Sequence, residues 1–176
     1  MRKQKGFSLI ELLIVVAIIL IIAAIAIPNL LRARIAAQES SAVSSVRTIN
    51  TAEVTYQTAY PNTGYSVTLA ALGPPAAGAC AAPTVANACM IDFALATANV
   101  TAKSGYRFLV SNGVPATVPV TSYVVGAAPV TYNQTGIRRF CAIEDAVMRA
   151  DQNAAASTAP EASSANCLGA LYTVLQ

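Results

Sequence analysis

The sequence contains no histidine, no tryptophan and only four cysteines, and charged residues make up 11% of its 176 positions. Without histidine the chain lacks the usual base of a Ser-His or Cys-His pair and a frequent ligand of catalytic metals. Its eight acidic residues are scattered, and the adjacent pair Glu144 and Asp145 is typical of a turn. We therefore expect no enzyme activity, no metal site and no cofactor.

Excess positive charge is confined to the first few residues. The sequence carries 11 basic and eight acidic residues, a formal charge of +3, and Arg2, Lys3 and Lys5 account for the whole excess. The remaining chain is near neutral, so we do not expect nucleic acid as its main ligand. The adjacent Arg138 and Arg139 are interpreted as a solvated strand edge.

Apolar residues, by contrast, are abundant near the N-terminus. Residues 7–27 include two polar side chains, Ser8 and Glu11. A helix of that length rises roughly 32 Å, which is enough to cross the hydrocarbon of a bilayer. The basic residues on its N-terminal flank predict a single-pass segment whose N-terminus stays in the cytoplasm.

Three features set this segment apart from a cleavable secretory signal. Such a signal has roughly 7–15 apolar residues and then a small-x-small cleavage site, whereas this run is longer and no such site precedes Pro28. Glu11 is a carboxylate where charge is costly, so it is a candidate functional residue. The alternative is that Glu11 lies near the cytoplasmic interface and reaches the lipid headgroups. Pro28 removes a backbone donor and clashes with the preceding turn, which predicts a kink.

The residues Lys5-Gly6-Phe7-Ser8-Leu9-Ile10-Glu11-Leu12 resemble the prepilin motif of type IV pilins and type II secretion pseudopilins. The shared features are a short basic leader ending in Gly, then Phe, an acid as the fifth residue after the Gly, and an unbroken apolar stretch. The resemblance implies that a membrane-embedded prepilin peptidase cuts between Gly6 and Phe7. It also implies that the new amino terminus of Phe7 is N-methylated.

The same resemblance implies roles for Glu11 and Pro28. In the family, the acid that matches Glu11 is needed for assembly and pairs with the amino group of a neighbouring subunit's first residue. Such a pair makes physical sense, because a carboxylate and an ammonium in an apolar filament core offset each other's desolvation. A proline that matches Pro28 follows the apolar run in the family and bends the first helix.

After Pro28 the helix is predicted to resume and to end near Thr58, before the turn-forming residues 60–64. The apolar positions that recur at helical spacing are Leu31, Ile35, Ala42, Val46, Ile49 and Tyr56. The polar residues assigned to the other faces are Arg32, Gln38, Glu39, Arg47 and Glu53. We expect one face of this helix to pack on a sheet of the same chain and the other to meet neighbouring subunits.

The remainder of the chain is predicted to be loops and antiparallel strands. Loops rich in Pro, Ala, Ser, Thr or Gly are predicted at 73–83 and 153–164. Strands are predicted at 106–110, 122–127, 137–143, 146–149 and 168–175. The expected fold is α+β, type IV pilin-like, with a long N-terminal helix packed on a C-terminal antiparallel sheet. The expected divisions are a cleaved leader (1–6), a transmembrane and assembly helix (7–27), its amphipathic continuation (28–58) and an extracytoplasmic β-rich domain (59–176).

Four cysteines in a domain outside the membrane predict two disulfides, for which three pairings are possible. We favour Cys80–Cys89, which would hold the Pro/Ala-rich loop, and Cys141–Cys167, which would tie the C-terminal segment to a strand. Members of the resembled family often close a C-terminal loop by a bridge of the second kind, and the enclosed region commonly forms exposed filament surface. The alternative is that one or both pairs are free thiols.

The cleavage motif, the acid and the helix length together predict a structural subunit of a type IV pilus-like filament, serving adhesion, motility or DNA uptake. The subunit would begin in the inner membrane and end in an extracellular pilus. Its partners would be copies of itself and related pilins, the prepilin peptidase, the inner-membrane assembly platform and, before assembly, membrane lipid. Two alternatives remain: a pseudopilin of a type II protein secretion system, in a periplasmic pseudopilus, and a membrane-anchored binding protein that does not polymerise.

Overall fold

A computed structural model of the chain describes residues 7–112, 118–152 and 154–175, which fall into two compact units. The first unit extends to Arg34 and the second begins at Ile35. Gly6 and the rest of the predicted leader lie outside the described residues. One helix, α1, runs from Leu9 to Ala59 and contributes to both units.

The described part of the first unit is built on the N-terminal part of α1. Pro28 lies inside this helix, and the helix continues past it. A proline in a helix interior removes one backbone hydrogen bond, but the flanking Leu, Ile and Ala residues favour helix on both sides. Pro28 therefore does not end the helix, and the kink predicted there stays a prediction.

The second unit contains the remainder of α1 and an antiparallel sheet. In the part of the chain that the structure describes, this sheet has five strands in chain order, each paired with the next. The strands are β1 (Tyr106–Ser111), β2 (Val124–Pro129), β3 (Arg139–Ile143), β4 (Arg149–Asp151) and β5 (Tyr172–Val174). The short helices are α2 (Leu69–Leu72), α3 (Phe93–Ala96) and α4 (Ser164–Cys167), with a 3-10 turn at Ala154–Ala156.

The predicted α+β fold is confirmed, with the second-unit part of α1 packed on an antiparallel sheet. The first three strands begin and end within two residues of the predicted ranges, and α1 ends one residue after Thr58. The strand predicted at 146–149 is wrong, because Ala146 adopts a left-handed φ of 55° in a turn and β4 begins at Arg149. The strand predicted at 168–175 is shorter than expected, since the chain turns before Tyr172.

The core of the second unit lies between α1 and one face of the sheet. Its members on the helix and the strands include Ala42, Val46, Ile49, Tyr56, Phe108, Val110, Val125, Phe140 and Ala142. The spacing of three or four on the helix and two on each strand places these side chains on facing surfaces. However, β2 and β3 are buried at every position, so the other face of the sheet must be covered too.

The segment around Glu161 provides that second cover. A side-chain carbon at Gly126, in β2, would lie 2.2 Å from the backbone oxygen of Glu161. The absence of a side chain at this position therefore lets the C-terminal segment lie directly on the sheet. A second apolar cluster includes Val124, Cys141, Ile143, Cys167 and Tyr172.

Two acidic residues of α1 lie on its buried face, where the sequence analysis did not place them. Glu39 is 5% exposed and Glu53 is fully buried. The assignment of these two residues to faces other than the packed apolar face was therefore wrong. Helical periodicity identifies apolar residues, but it does not identify polar residues that find a partner inside the domain.

Candidate functional site

The apolar N-terminal part of α1 is the most unusual surface of the described chain. Phe7 and Leu9 are each 78% exposed, and Ile25 is 71% exposed. The best 18-residue window of the helix has a mean hydropathy of 3.3 and no buried residue, which makes the helix long and apolar enough to cross a membrane. Soluble monomers rarely expose a contiguous apolar surface of this size, so these side chains require lipid or another protein around them.

This surface also has a shape that suits a neighbouring helix. A shallow groove of about 340 Å³ runs along it, lined by Leu9, Leu12, Leu13, Val16, Ala17 and Leu20. These residues lie at helical spacings of three and four, which form the ridges and grooves that pack between helices. No polar side chain contributes to this lining.

Glu11 lies at the start of this segment and closes the first turn of α1. Its Oε2 accepts a hydrogen bond from the backbone N–H of Ser8, at 2.9 Å. Ser8 immediately precedes the helix, so this contact is one half of a capping box, in which the acid three residues later reaches back to the cap. This role was not predicted from the sequence, although the spacing Ser8-Leu9-Ile10-Glu11 is the signal for it.

The arrangement at Glu11 leaves the carboxylate able to accept further partners. No salt bridge to Glu11 occurs among the described residues. Phe7, the residue on which the predicted new amino terminus would lie, directly precedes the cap. Gly6, the other predicted cleavage-site residue, lies outside the described residues.

The second unit uses a buried carboxylate to fix α1 to the sheet. Glu39 Oε1 accepts hydrogen bonds from the backbone N–H groups of Ile137 and Arg138, at 2.9 and 3.1 Å. Its Oε2 accepts from Arg138 Nε at 2.8 Å and lies 2.7 Å from Arg138 Nη2. Tyr106 Oη in turn donates to the backbone oxygen of Arg138, at 2.9 Å. This network holds the entry to β3 against the helix.

Arg139 is also buried and paired. Its Nε donates to Asp151 Oδ2 at 3.1 Å, across the β3–β4 ladder. Its guanidinium lies 5.6 Å from the centre of the Tyr172 ring. The prediction that Arg138 and Arg139 form a solvated edge was therefore wrong. Their partners come from α1 and β4, which the local sequence does not indicate.

Glu53 connects α1 to the loop that follows it. The carboxylate accepts hydrogen bonds from the backbone N–H of Ser66, at 2.8 Å, and from the Ser66 hydroxyl. Burial raises the pKa of Glu53 to about 7, and the two Ser66 hydrogen bonds oppose that rise. A carboxyl group that exchanges its proton near neutral pH therefore lies inside the domain.

The structure joins Cys80 to Cys89 and Cys141 to Cys167, the two pairs favoured from the sequence. Cys141 and Cys167 are fully buried, and their bond links β3 to the C-terminal segment over Gly126. The loop between Cys80 and Cys89 is largely exposed. It is fixed to α1 by Tyr56 Oη, which donates to the backbone oxygen of Val85 at 2.7 Å. Among the described residues, no group of three or more His, Cys, Asp or Glu could hold a metal ion.

Comparisons with known proteins give one family match, at the N-terminus, and several similar proteins. The family described as the prokaryotic N-terminal methylation motif matches residues 1–27. The chain is 74% identical over 34 residues to the type IV wide pilus major component PilA4 of Thermus thermophilus, covering 19% of this chain and 26% of that protein. It is 44% identical over 54 residues to the type IV major pilin protein PilA of Myxococcus xanthus, covering 31% and 24%.

A fimbrial protein of Pseudomonas aeruginosa is 56% identical over 52 residues, which is 30% of this chain and 34% of that protein. The chain therefore spans between about a quarter and a third of the length of these relatives. No solved structure shows a significant match. The names of the relatives are those of structural subunits, not of enzymes.

Proposed function

We propose that this chain, a member of the type IV pilin family by its N-terminal segment, is a structural subunit of a pilus-like filament. In this proposal a prepilin peptidase cuts between Gly6 and Phe7 and methylates the amino group of Phe7. Before assembly the subunit lies in the inner membrane as a single-pass protein with its N-terminus in the cytoplasm. An inner-membrane assembly platform then moves it into an extracellular filament of this chain and related pilins.

The single observation that carries the proposal is the apolar surface of α1, none of which is buried within the described chain. The window of mean hydropathy 3.3 has no covered residue within the chain itself, so its cover must come from outside. Lipid can provide that cover before assembly and neighbouring helices can provide it afterwards. Because both environments keep the surface from water, the free-energy difference between them is far smaller than the cost of exposing the helix.

Glu11 has a distinct role in this exchange. In the described chain its carboxylate is held by one hydrogen bond from Ser8, which does not neutralise its charge. Inside a filament core an uncompensated carboxylate would be heavily penalised, and the methylated amino group of an adjacent subunit's Phe7 would remove that penalty. The pairing would fix the axial position of one subunit against the next.

The test uses fibres sheared from the cell surface under native expression. Intact mass and N-terminal sequencing should give a chain that begins at methylated Phe7, without residues 1–6. A membrane-anchored binding protein that does not polymerise would keep residues 1–6 and would be absent from the fibres. A pseudopilin would be cleaved and methylated in the membrane fraction but would form no long surface fibres.

Two substitutions of Glu11 separate its charge from its capping contact. Glu11→Ala removes both, whereas Glu11→Gln removes the charge and keeps an oxygen that can accept from the Ser8 N–H. We expect both variants to be cleaved and inserted in the membrane but to give few or no fibres, because neither can pair with an amine. If Glu11→Gln assembled like the unmodified chain, Glu11 would serve as a cap and the proposed pairing would be wrong.

A further inference from the structure

Most charges of the second unit are paired within the chain. The salt bridges among the described residues are Lys103–Asp92, Arg138–Glu39, Arg139–Asp151 and Arg149–Asp145. The described basic residues outside these pairs are Arg32, Arg34, Arg47 and Arg107. Three of those four lie on α1, so the helix carries cations that its own chain does not neutralise.

Arg32 and Arg34 directly follow the apolar part of α1, and both are exposed. A helical residue can pair with positions three and four away on the same helix, and none of those positions is acidic for either arginine. The next acid along the helix, Glu39, is fully used by Arg138 and its neighbours. Both guanidinium groups therefore have no acidic partner in the described chain.

Among the described residues outside the apolar segment, one exposed acid also lacks a partner. Glu144 lies in the turn between β3 and β4 and makes no hydrogen bond or ion pair among the described residues. The other acids of the second unit are not available: Glu53 is buried, and Glu161 accepts hydrogen bonds from its own segment.

The turn also holds Glu144 in place. Its neighbour Asp145 accepts hydrogen bonds from the backbone N–H of Val147 and from Arg149. The backbone N–H of Ala146 donates to the oxygen of Ile143 at 2.8 Å. Because the turn backbone is already ordered, pairing of Glu144 costs only the conformational entropy of its side chain, which suits Glu144 to an interface.

We propose that Glu144 of one copy pairs with Arg32 or Arg34 on α1 of an adjacent copy. The proposal rests on the proposed filament function and names one of its subunit contacts. Arg32 and Arg34 end the first unit, directly before Ile35, where the second unit begins, and a guanidinium that loses water in a subunit contact requires an acid. A contact between two different patches is the kind that propagates into an open helical filament.

Arg32 and Arg34 cannot both pair with Glu144 of the same adjacent copy. Residues two positions apart on a helix point in nearly opposite directions, about 200° apart. One of them therefore faces Glu144 of a given copy and the other does not. Charge-exchange variants can identify which one it is.

The experiment compares single and double charge reversals in the full chain under native expression. Glu144→Arg, Arg32→Glu and Arg34→Glu are made singly, together with the doubles Arg32→Glu/Glu144→Arg and Arg34→Glu/Glu144→Arg. Arg107→Glu, an exposed unpaired arginine on β1, is the matched control. Two quantities are measured for each variant: the subunit in sheared fibres, and the unassembled subunit in the membrane fraction.

We expect Glu144→Arg and one arginine reversal to lower the fibre fraction about tenfold, with a normal amount of subunit in the membrane. The double containing that arginine should restore fibres, the other double should not, and Arg107→Glu should assemble normally. The proposal is overturned if Glu144→Arg assembles normally or if neither double restores fibres. It is also overturned if the arginine reversals lower the membrane-inserted amount instead, which would assign the arginines to lipid phosphate groups. If the unmodified chain formed no fibres, the proposed function itself would fail.

Discussion

Glu39 and Arg138 are separated by 99 residues of sequence, yet Arg138 Nε donates to Glu39 Oε2 at 2.8 Å. The other oxygen of the same carboxylate accepts from two backbone N–H groups at the entry to β3. One side chain of α1 thus satisfies three donors at the entry to β3. Loss of the carboxylate would leave these donors without this partner in a partly buried place.

We predict that Glu39→Ala lowers the free energy of unfolding by about 2 to 3 kcal/mol. The Arg138 side chain is 36% exposed, so water can hydrate its guanidinium group in the variant. The loss of unfolding free energy is therefore smaller than for a fully buried ion pair. Urea unfolding of the purified full chain in detergent, followed by circular dichroism, measures the effect. Arg47→Ala, at an exposed unpaired position of the same helix, should change the stability by less than about 0.5 kcal/mol. Equal effects of the two substitutions would contradict the assigned role of Glu39.

The buried Glu53 predicts a dependence of stability on pH. The pKa of Glu53 is about 7 in the folded chain, whereas the ordinary value for a glutamate in water, as in the unfolded chain, is 4.5. Between these values the folded chain holds a proton that the unfolded chain releases, so stability falls as the pH rises from about 4.5 to about 7. The expected loss is about 3 kcal/mol, because each pKa unit corresponds to about 1.4 kcal/mol.

Unfolding measurements at intervals between pH 5 and pH 8 test this dependence. Glu53→Gln cannot ionise and can still accept from Ser66, so its stability should vary little over that range. Nearby tyrosines do not interfere, because burial raises the pKa values of Tyr56, Tyr65 and Tyr123 above their ordinary value of 10.0. Glu144→Gln, which removes an exposed carboxylate, should show the same dependence of unfolding free energy on pH as the unmodified chain. If the unfolding free energy of Glu53→Gln still fell as the pH rose, another group would be responsible for the pH dependence.

The two disulfides should differ in their contribution to stability. The Cys141–Cys167 bond closes a sequence separation of 26 and the Cys80–Cys89 bond a separation of 9. The chain-entropy treatment gives about 3 to 4 kcal/mol for the longer loop and about 2 to 3 kcal/mol for the shorter one. Paired Cys→Ala variants, compared by thermal unfolding without reductant, should show this order. A larger loss for the Cys80/Cys89 variant would mean that native contacts of the exposed loop outweigh chain entropy.

The features that were predictable from sequence are those that local chemistry determines. The motif at Lys5–Leu12 is contiguous, α1 follows from its composition, and the first three strands carry enough β-branched and aromatic residues to be located. The cap at Ser8 was equally local and was missed, although the Ser-x-x-Glu spacing indicates it.

The features that were not predictable depend on partners far along the chain. Glu39 is buried because Arg138 reaches it, and Arg139 is buried because Asp151 lies opposite on β4. Neither acid differs from a solvated one in its local sequence. The three-residue β4 and β5 are too short to give a periodic signal, and their positions follow from pairing with strands already in place.

The strand order of the sheet has a consequence for how the sheet can form. Among the described residues, each strand from β2 to β5 pairs with the strand before it in the chain, so no strand has to wait for a later one to be inserted between earlier ones. If, as proposed, the N-terminus stays in the cytoplasm and the segment after α1 crosses the bilayer, its strands can be added to the sheet one at a time in chain order. Cys167 follows β4 in the chain and β5 follows Cys167, so the Cys141–Cys167 bond and β5 are the last of these features to be added. In the proposed filament subunit, oxidation of that thiol pair would therefore mark a sheet whose first four strands are already available for pairing.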